Sequence, residues 1–119
     1  VKAGPLNILG IEGSMWYNDG PNQYTEAMMK KKLFWIKMKT WSRRPVDIIV
    51  THAPPRHVHD REDRCHMGFQ CFHPLIGTLA PQWFIHGHIH DAFDRFDDRI
   101  TVLKQTRVMN TCGHTFFEV

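Results

Sequence analysis

Histidines are the residues whose type and spacing first suggest chemistry in this chain. There are nine, and all of them except His114 lie between His52 and His90. His52 comes shortly after an apolar stretch that ends at Val50, and a His-Gly-His-Ile-His run follows a second apolar stretch, residues 83–85. Imidazole is the commonest metal ligand in proteins, and alternating histidines give an apolar strand no packing advantage. The pattern therefore indicates a metal-binding or catalytic site.

The elements that must position these histidines alternate between strands and helices. The predicted strands are Leu6–Glu12, Val46–Val50, Gln82–His86, Arg99–Lys104, Arg107–Thr111 and Thr115–Val119, and the predicted helices are Glu26–Trp41 and Gly68–Leu79. This β-α-β-α-β order, followed by antiparallel strands, predicts the α/β fold class with a parallel core. Ligands of such sheets lie outside the carboxyl ends of the strands, so His52 and His88 are expected to converge on one edge.

The first helix is expected to have a polar cap and an apolar stripe. Thr25 precedes the helix and is predicted to cap its first turn. Phe34, Met38 and Trp41 are spaced i, i+4 and i+7, and the lysines lie largely elsewhere. This spacing predicts an apolar face formed by these three side chains.

Composition argues against several classes of partner. The chain has 119 residues, a length that predicts one domain at most, and a formal net charge of +3. Lys30–Lys32, Arg43 and Arg44 account for much of the charge, and a solvated helix face explains them better than a nucleic-acid partner does. No apolar run approaches the roughly 20 residues that a membrane span needs. We therefore expect neither a membrane partner nor a nucleic-acid partner.

The cysteines indicate a reducing compartment. Cys65, Cys71 and Cys112 are an odd number without regular spacing, which does not predict a disulfide framework. A cytoplasmic location is therefore expected. The chain begins with Val1 rather than Met, which hints at a processed or cut product.

Two short motifs and one loop resemble the calcineurin-like metallophosphoesterases. Thr-His-Ala-Pro-Pro at 51–55 and Gly-His-Ile-His at 87–90 are similar to the last two metal motifs of that family, of which the final one reads Gly-His-x-His. The loop His59–Phe69 is similar to one in bacterial members that carry a Thr-His-Ala-Pro-Pro motif. The resemblance covers essentially the whole chain, as the second half of such a domain.

The resemblance implies that residues 1–119 are a single partial domain, the C-terminal half of a four-layer α/β/β/α sandwich. It also implies two divalent metal ions in the complete domain (Mn, Fe or Zn) and a phosphate mono- or diester as substrate. By this likeness His52 and His88 would hold one ion and His90 the other. His86 matches no ligand of the family, and we interpret it as a residue that supports the ligands or packs beside them.

The family's earlier motifs are absent from the sequence. They read Asp-x-His, Gly-Asp-x-x-Asp and Gly-Asn-His, and they supply the bridging aspartate, an asparagine ligand and the histidine that assists the leaving group. Three neutral imidazoles cannot hold two divalent cations about 4 Å apart, because a bridging carboxylate is needed to reduce their repulsion. We therefore expect an N-terminal half as partner, no leaving-group histidine here, and no enzymatic rate from this chain alone.

The loop from His57 to His66 is predicted to border the substrate. It joins a ligand-bearing strand to the next helix, and such loops commonly carry function. Asp60, Asp63 and His66 are the predicted substrate-binding residues. The alternative is a solvated, charged loop in which Asp63 caps a helix.

The sequence leaves two other functions open. The alternating histidines from His86 to His90 superficially fit a histidine-triad nucleotide hydrolase or transferase, which uses a histidine nucleophile and no metal. Gly87 departs from that pattern, where an apolar residue is expected, and His52 would be left without a role. The other alternative is a non-catalytic metal- or partner-binding remnant.

Overall fold

The computed structural model describes residues 1–40 and 45–119. Its strands are β1 (Lys2–Ala3), β2 (Leu6–Ile11), β3 (Ser14–Met15), β4 (Gln23–Tyr24), β5 (Ile48–Thr51), β6 (Trp83–His86), β7 (Ile100–Leu103) and β8 (Thr106–Asn110). Its helices are α1 (Glu26–Thr40), α2 (Phe72–Leu79) and a 3-10 helix at Phe96–Arg99. Within the described ranges, no helix is long and apolar enough to span a membrane.

One mixed sheet organises the fold. Its strand order is β1-β2-β5-β6-β8-β7, and β3 pairs with β4 in a separate two-stranded sheet. The four central strands are parallel, while β1 and β7 run antiparallel to their neighbours. Parallel neighbours need a crossover connection, and α1 and α2 lie in the connections from β2 to β5 and from β5 to β6. The predicted α/β class with a parallel core is confirmed. Strand β8, predicted among the antiparallel strands that follow the core, pairs antiparallel with β7 but parallel with β6 and so belongs to the core.

The main hydrophobic core lies between the helices and one face of the sheet. Leu9, Ile49, Phe84 and Val108 are partners in register across the four parallel strands and belong to this core. The buried residues that the helices contribute are Met29, Leu33, Phe72, Leu75, Ile76 and Leu79. Removing these apolar side chains from water is the dominant favourable contribution to folding.

The opposite face of the sheet carries a smaller apolar cluster. Ile48, Trp83 and Met109 are buried there, and Phe117 packs on Trp83 with ring centroids 4.8 Å apart. Val50 lies on the same face of β5 and is 39% exposed. Part of this apolar face is therefore open to solvent.

Helix α1 begins where the sequence predicts. The Thr25 hydroxyl oxygen accepts a hydrogen bond from the Met28 N–H at 3.2 Å, which confirms the predicted cap. The Glu26 carboxylate accepts hydrogen bonds from the N–H groups of Gln70 and Cys71, at 3.1 and 2.8 Å. Glu26 therefore ties the start of α1 to the start of α2.

The apolar face predicted for α1 is not the one that packs. Phe34 is 57% exposed and Met38 is 61% exposed, whereas Met29 and Leu33 are buried against the sheet. The helix has apolar residues on several sides, so spacing alone does not select the face in contact with the sheet. Trp41, the third member of the predicted stripe, lies outside the described residues.

One predicted helix boundary and one predicted strand are also wrong. The second helix begins at Phe72 rather than Gly68, because Phe69 forms an isolated parallel β-bridge with Pro55, in which its N–H donates to the Pro54 carbonyl at 3.0 Å. Phe69 is nonetheless fully buried. At the other end of the chain, Thr115–Val119 is irregular rather than a strand.

Candidate metal centre

Parallel pairing of β5 and β6 brings the two histidine segments together. Thr51 and His86 are partners in the sheet, so the two strands end at the same edge. His52 and His88 follow these ends, and their ring centroids are 4.6 Å apart. The Gly87 N–H donates to the His52 carbonyl at 3.2 Å. The structure thus places His52 and His88 side by side at the edge where α/β sheets bind ligands.

His88 has a backbone conformation that side-chain-bearing residues rarely adopt. Its φ is +67°, in the left-handed region, and such outliers concentrate at functional sites. Its Nε2 atom forms a hydrogen bond with the Cys65 carbonyl. A carbonyl only accepts, so Nε2 carries the proton and Nδ1 keeps the lone pair that a metal would use.

His52 and His90 are both exposed to solvent. The pKa of His52 lies below its usual value, first because the ring is partly desolvated and then because of the charges of His88 and His90. A lowered pKa favours the neutral imidazole, which is the form that binds a metal ion.

His86 is fully buried beneath these residues and pairs with His59. Nδ1 of His59 lies 2.9 Å from Nε2 of His86, and Nε2 of His59 lies 2.8 Å from the Thr101 hydroxyl. Nδ1 of His86 donates to the Gly87 carbonyl at 3.0 Å. Burial lowers the pKa of His86 to about 4 and also lowers that of His59. His86 is therefore neutral at pH 7 and braces the turn that leads to His88.

The carboxylate of Asp60 connects the two ends of the loop between β5 and α2 by hydrogen bonds. Its side chain is 4% exposed, and Oδ2 lies 2.7 Å from the Arg56 guanidinium. The same oxygen accepts a hydrogen bond from the Gly68 N–H at 2.9 Å, and Oδ1 accepts one from the His57 N–H at 2.9 Å. These contacts give Asp60 a structural role, while its direct contact with substrate stays a prediction.

Asp63, Cys65 and His66 form a compact cluster in the loop. Oδ1 of Asp63 lies 2.8 Å from both the Cys65 Sγ and the His66 Nδ1. The hydrogen bond from the Cys65 thiol is the first cause that lowers the pKa of Asp63 to about 2, and it also raises the pKa of the thiol. The His66 ring lies 5.3 Å from the His88 ring, so the cluster borders the histidine pair. Asp63 caps no helix, because α2 begins only at Phe72.

The three predicted metal ligands would be only part of the dinuclear centre that the sequence predicts. His52, His88 and His90 offer imidazoles, which suit Zn, Fe and Mn once carboxylates complete the shell. Across the described ranges, their nitrogens do not all come within 4.8 Å of one another. Asp91 follows His90, but its Oδ1 lies 2.7 Å from the Arg61 guanidinium and is already paired. A carboxylate that bridges two ions would have to come from elsewhere.

Sequence reasoning did not select His59 or Cys65. His59 is 27 residues from His86, so no local pattern connects the two rings. Cys65 stands between Asp63 and His66, and this Asp-x-Cys-His spacing is a signal that could have identified the cluster.

Comparisons with known proteins establish the fold but not a family. No family model matches the sequence, and no curated protein matches it. A solved crystal structure matches 87% of this chain with a TM-score of 0.55 and 20% sequence identity. This chain spans 39% of the length of that protein. The fold and the site together define a mixed α/β protein with histidines clustered at the ligand-binding edge of its sheet.

Proposed function

We propose that this chain is the C-terminal half of a calcineurin-like metallophosphoesterase domain with a dinuclear metal site. The observation that carries the proposal is the 4.6 Å separation of the His52 and His88 rings after adjacent parallel strands. His52 and His88 would bind one divalent ion, and His90 would bind the other. The substrate would be a phosphate mono- or diester.

The chain's own residues would orient the ligands. The Cys65 carbonyl holds Nε2 of His88 and leaves Nδ1 as the donor atom. His86 supports the preceding turn through the Gly87 carbonyl. Contacts of this kind behind metal ligands commonly change metal affinity by about 10–100-fold. Bound divalent ions would supply Lewis-acid stabilisation of the charge on the phosphoryl oxygens.

The loop would contribute the substrate side of the site. His66 lies beside His88, and Asp63 is hydrogen-bonded to His66, so both polar side chains face the edge that holds the histidines. Asp60 would fix this loop through its buried ion pair with Arg56, in addition to the contact with substrate that the sequence predicts.

An N-terminal half of the same domain would supply the remaining ligands. The motifs that contain the bridging aspartate are absent here, and this chain spans 39% of the solved structure that shares its fold. The open part of the sheet face around Val50 offers apolar surface on which a second sheet would pack in a four-layer sandwich. That packing would bring the missing carboxylates towards the histidines.

The histidine-triad alternative has less support. Strand β6 ends at His86, and the positive φ of His88 breaks the extended backbone, so the three histidines do not alternate along one strand. Both ring nitrogens of His86 are hydrogen-bonded. A non-catalytic metal-binding remnant would keep the same site and differs from the proposal in having no turnover under any condition.

Metal binding is the first test. The purified chain is titrated in a calorimeter with Mn²⁺, which prefers oxygen ligands to thiolate and so avoids a cysteine-containing site. His52→Ala and His88→Ala should each weaken the affinity by more than the ~10-fold that loss of an outer contact costs. His114→Ala removes another exposed histidine and should leave the affinity unchanged.

Hydrolysis is the second test. Turnover of an aryl phosphate and a phosphodiester is measured for the chain alone and with an N-terminal segment that carries the three missing motifs. Metal-dependent turnover only in the presence of that segment, and its loss in His88→Ala, would support the proposal. Mn²⁺ binding that is indifferent to His52 and His88, or turnover that survives both substitutions, would contradict it.

A further inference from the structure

We propose that Asp63, Cys65 and His66 form a second metal site, selective for a thiophilic divalent cation such as Zn²⁺. These are the three His, Cys, Asp or Glu residues of the described ranges whose ligand atoms all lie within 4.8 Å of one another. They offer one carboxylate oxygen, one sulfur and one imidazole nitrogen. Its ligands are not those of the centre proposed at His52, His88 and His90, and metal binding here does not require the proposed function. A metal bound here would occupy the Asp63 and His66 atoms that the proposed function assigns to the substrate.

The three candidate ligand atoms are at present separated by hydrogen-bond distances. Sγ of Cys65 and Nδ1 of His66 each lie 2.8 Å from Oδ1 of Asp63, and they lie 3.2 Å from each other. Zinc bond lengths of about 2.0–2.3 Å in a tetrahedral shell separate ligand atoms by roughly 3.3–3.8 Å. A zinc ion would therefore take the place of the thiol proton and of the proton on Nδ1 of His66, which would move to Nε2 so that the imidazole stays neutral, and the donors would move apart by about half an ångström.

The loop backbone already holds the three side chains in place. The Arg61 N–H donates to the His66 carbonyl, and the His66 N–H donates to the Asp63 carbonyl, both at 3.2 Å. The Gly68 N–H is held by Asp60 immediately after the cluster. These bonds close the turn without the Cys65 side chain. The Cys65 thiol adds a hydrogen bond to Asp63 inside a turn that the backbone already closes, so the thiolate is available to a metal ion without opening the turn.

The donor set determines which ion would bind. Binding would displace the thiol proton to solvent and leave a thiolate, so Asp63 and Cys65 together would neutralise the two charges of the cation. Thiolate and imidazole favour Zn²⁺ over Mg²⁺, Ca²⁺ and Mn²⁺, which prefer oxygen ligands. Three protein ligands leave the fourth tetrahedral position to water, because Asp63 is exposed and His66 is a third exposed.

Cobalt(II) provides a spectroscopic test, because a Co–thiolate bond gives a near-ultraviolet charge-transfer band that histidine and carboxylate ligands do not give. The wild-type chain should develop the band on titration with Co²⁺, and Zn²⁺ should displace it. Cys65→Ser should abolish the band, and Asp63→Ala should weaken the affinity by more than the ~10-fold typical of an outer contact. Cys112→Ser, which changes another partly exposed free thiol, should keep it.

A His52→Ala/His88→Ala double variant separates this site from the proposed histidine centre, because it should keep the thiolate band. A band that is absent in the wild type, or that persists in Cys65→Ser, would overturn the proposal. A second measurement needs no variant. Zn²⁺ should slow alkylation of Cys65 in the wild-type chain but not that of Cys112, and equal alkylation rates with and without Zn²⁺ would also overturn it.

Discussion

Nδ1 of His59 lies 2.9 Å from Nε2 of His86, and this bond joins the loop to the end of the central strand β6. Nδ1 of His86 already donates to the Gly87 carbonyl, so Nε2 must accept. Protonation of His86 would remove that acceptor and place a charge on a fully buried ring. The His59–His86 pair therefore requires a neutral His86.

Stability should fall in mild acid because of this pair. The pKa of His86 is about 4 in the folded chain against an ordinary value of 6.5, so the unfolded chain binds more protons between these two values. Stability contributed by the neutral ring is fully present above about pH 6.5, and up to about 3 kcal/mol is lost as the pH falls towards 4. Urea denaturation with a chelator present, repeated from pH 7 to pH 4, measures the slope.

Two variants test whether His86 causes this fall in stability between pH 6.5 and pH 4. His86→Gln should be less stable at pH 7 and should show a much smaller slope between pH 6.5 and 4. Thr101→Val removes the hydroxyl beyond His59 but keeps both imidazoles, so the slope should persist. An unchanged slope in His86→Gln would show that other groups cause the acid sensitivity.

The buried carboxylate of Asp60 should matter far more than its exposed neighbour Glu62. Both pair with Arg56 at 2.7 Å, but the Asp60 side chain is 4% exposed and that of Glu62 is 80% exposed. Asp60→Ala leaves two N–H groups and part of the guanidinium without an acceptor and should cost about 3 kcal/mol. Glu62→Ala should cost much less, because water screens the ion pair of an exposed carboxylate. Equal losses in denaturant titrations would mean that the loop is not anchored as the structure shows.

Close packing of the loop against the Pro-Pro turn should make Gly68 sensitive to any side chain. A Cβ at this position would lie 2.6 Å from the Pro54 carbonyl oxygen and 2.7 Å from the Pro55 backbone, and neither can rotate away. Gly68→Ala should therefore cost about 1–3 kcal/mol of unfolding free energy. Gly10→Ala is the matched control, because a Cβ there meets nothing within 4 Å. A thermal midpoint as high for Gly68→Ala as for Gly10→Ala would refute the close approach.

Truncation of two adjacent residues of α1 should change the stability of the chain by very different amounts. Leu33 is 4% exposed and Phe34 is 57% exposed, although the sequence pattern had placed Phe34 on the packed face. Leu33→Ala should destabilise the chain by about 2–5 kcal/mol because it leaves a cavity in the main core. Phe34→Ala should change the stability by no more than about 0.5 kcal/mol. If Phe34→Ala destabilised the chain more than Leu33→Ala in a denaturant titration, the helix would pack through its other face.

The order of the large elements could be predicted because the signals for it are local. Apolar runs mark β2, β5 and β6, and Thr25 marks the beginning of α1 through its own hydroxyl. Placing His52 and His88 at one edge needed only the further rule that parallel strands end together. These inferences depend on residues within a few positions of each other and on general features of α/β sheets.

Only the tertiary structure decided which side chains meet across the loop. His59 reaches His86 over 27 positions, and His88 reaches the Cys65 carbonyl over 23. No periodicity in the sequence predicts contacts between residues so far apart, because the path of a loop depends on many backbone angles together and on anchors such as Asp60. The packed face of α1 was also decided by the sheet, since apolar residues on several sides made more than one orientation locally acceptable. Sequence therefore determined which groups are available at the edge, while the three-dimensional path of the loop decided their partners.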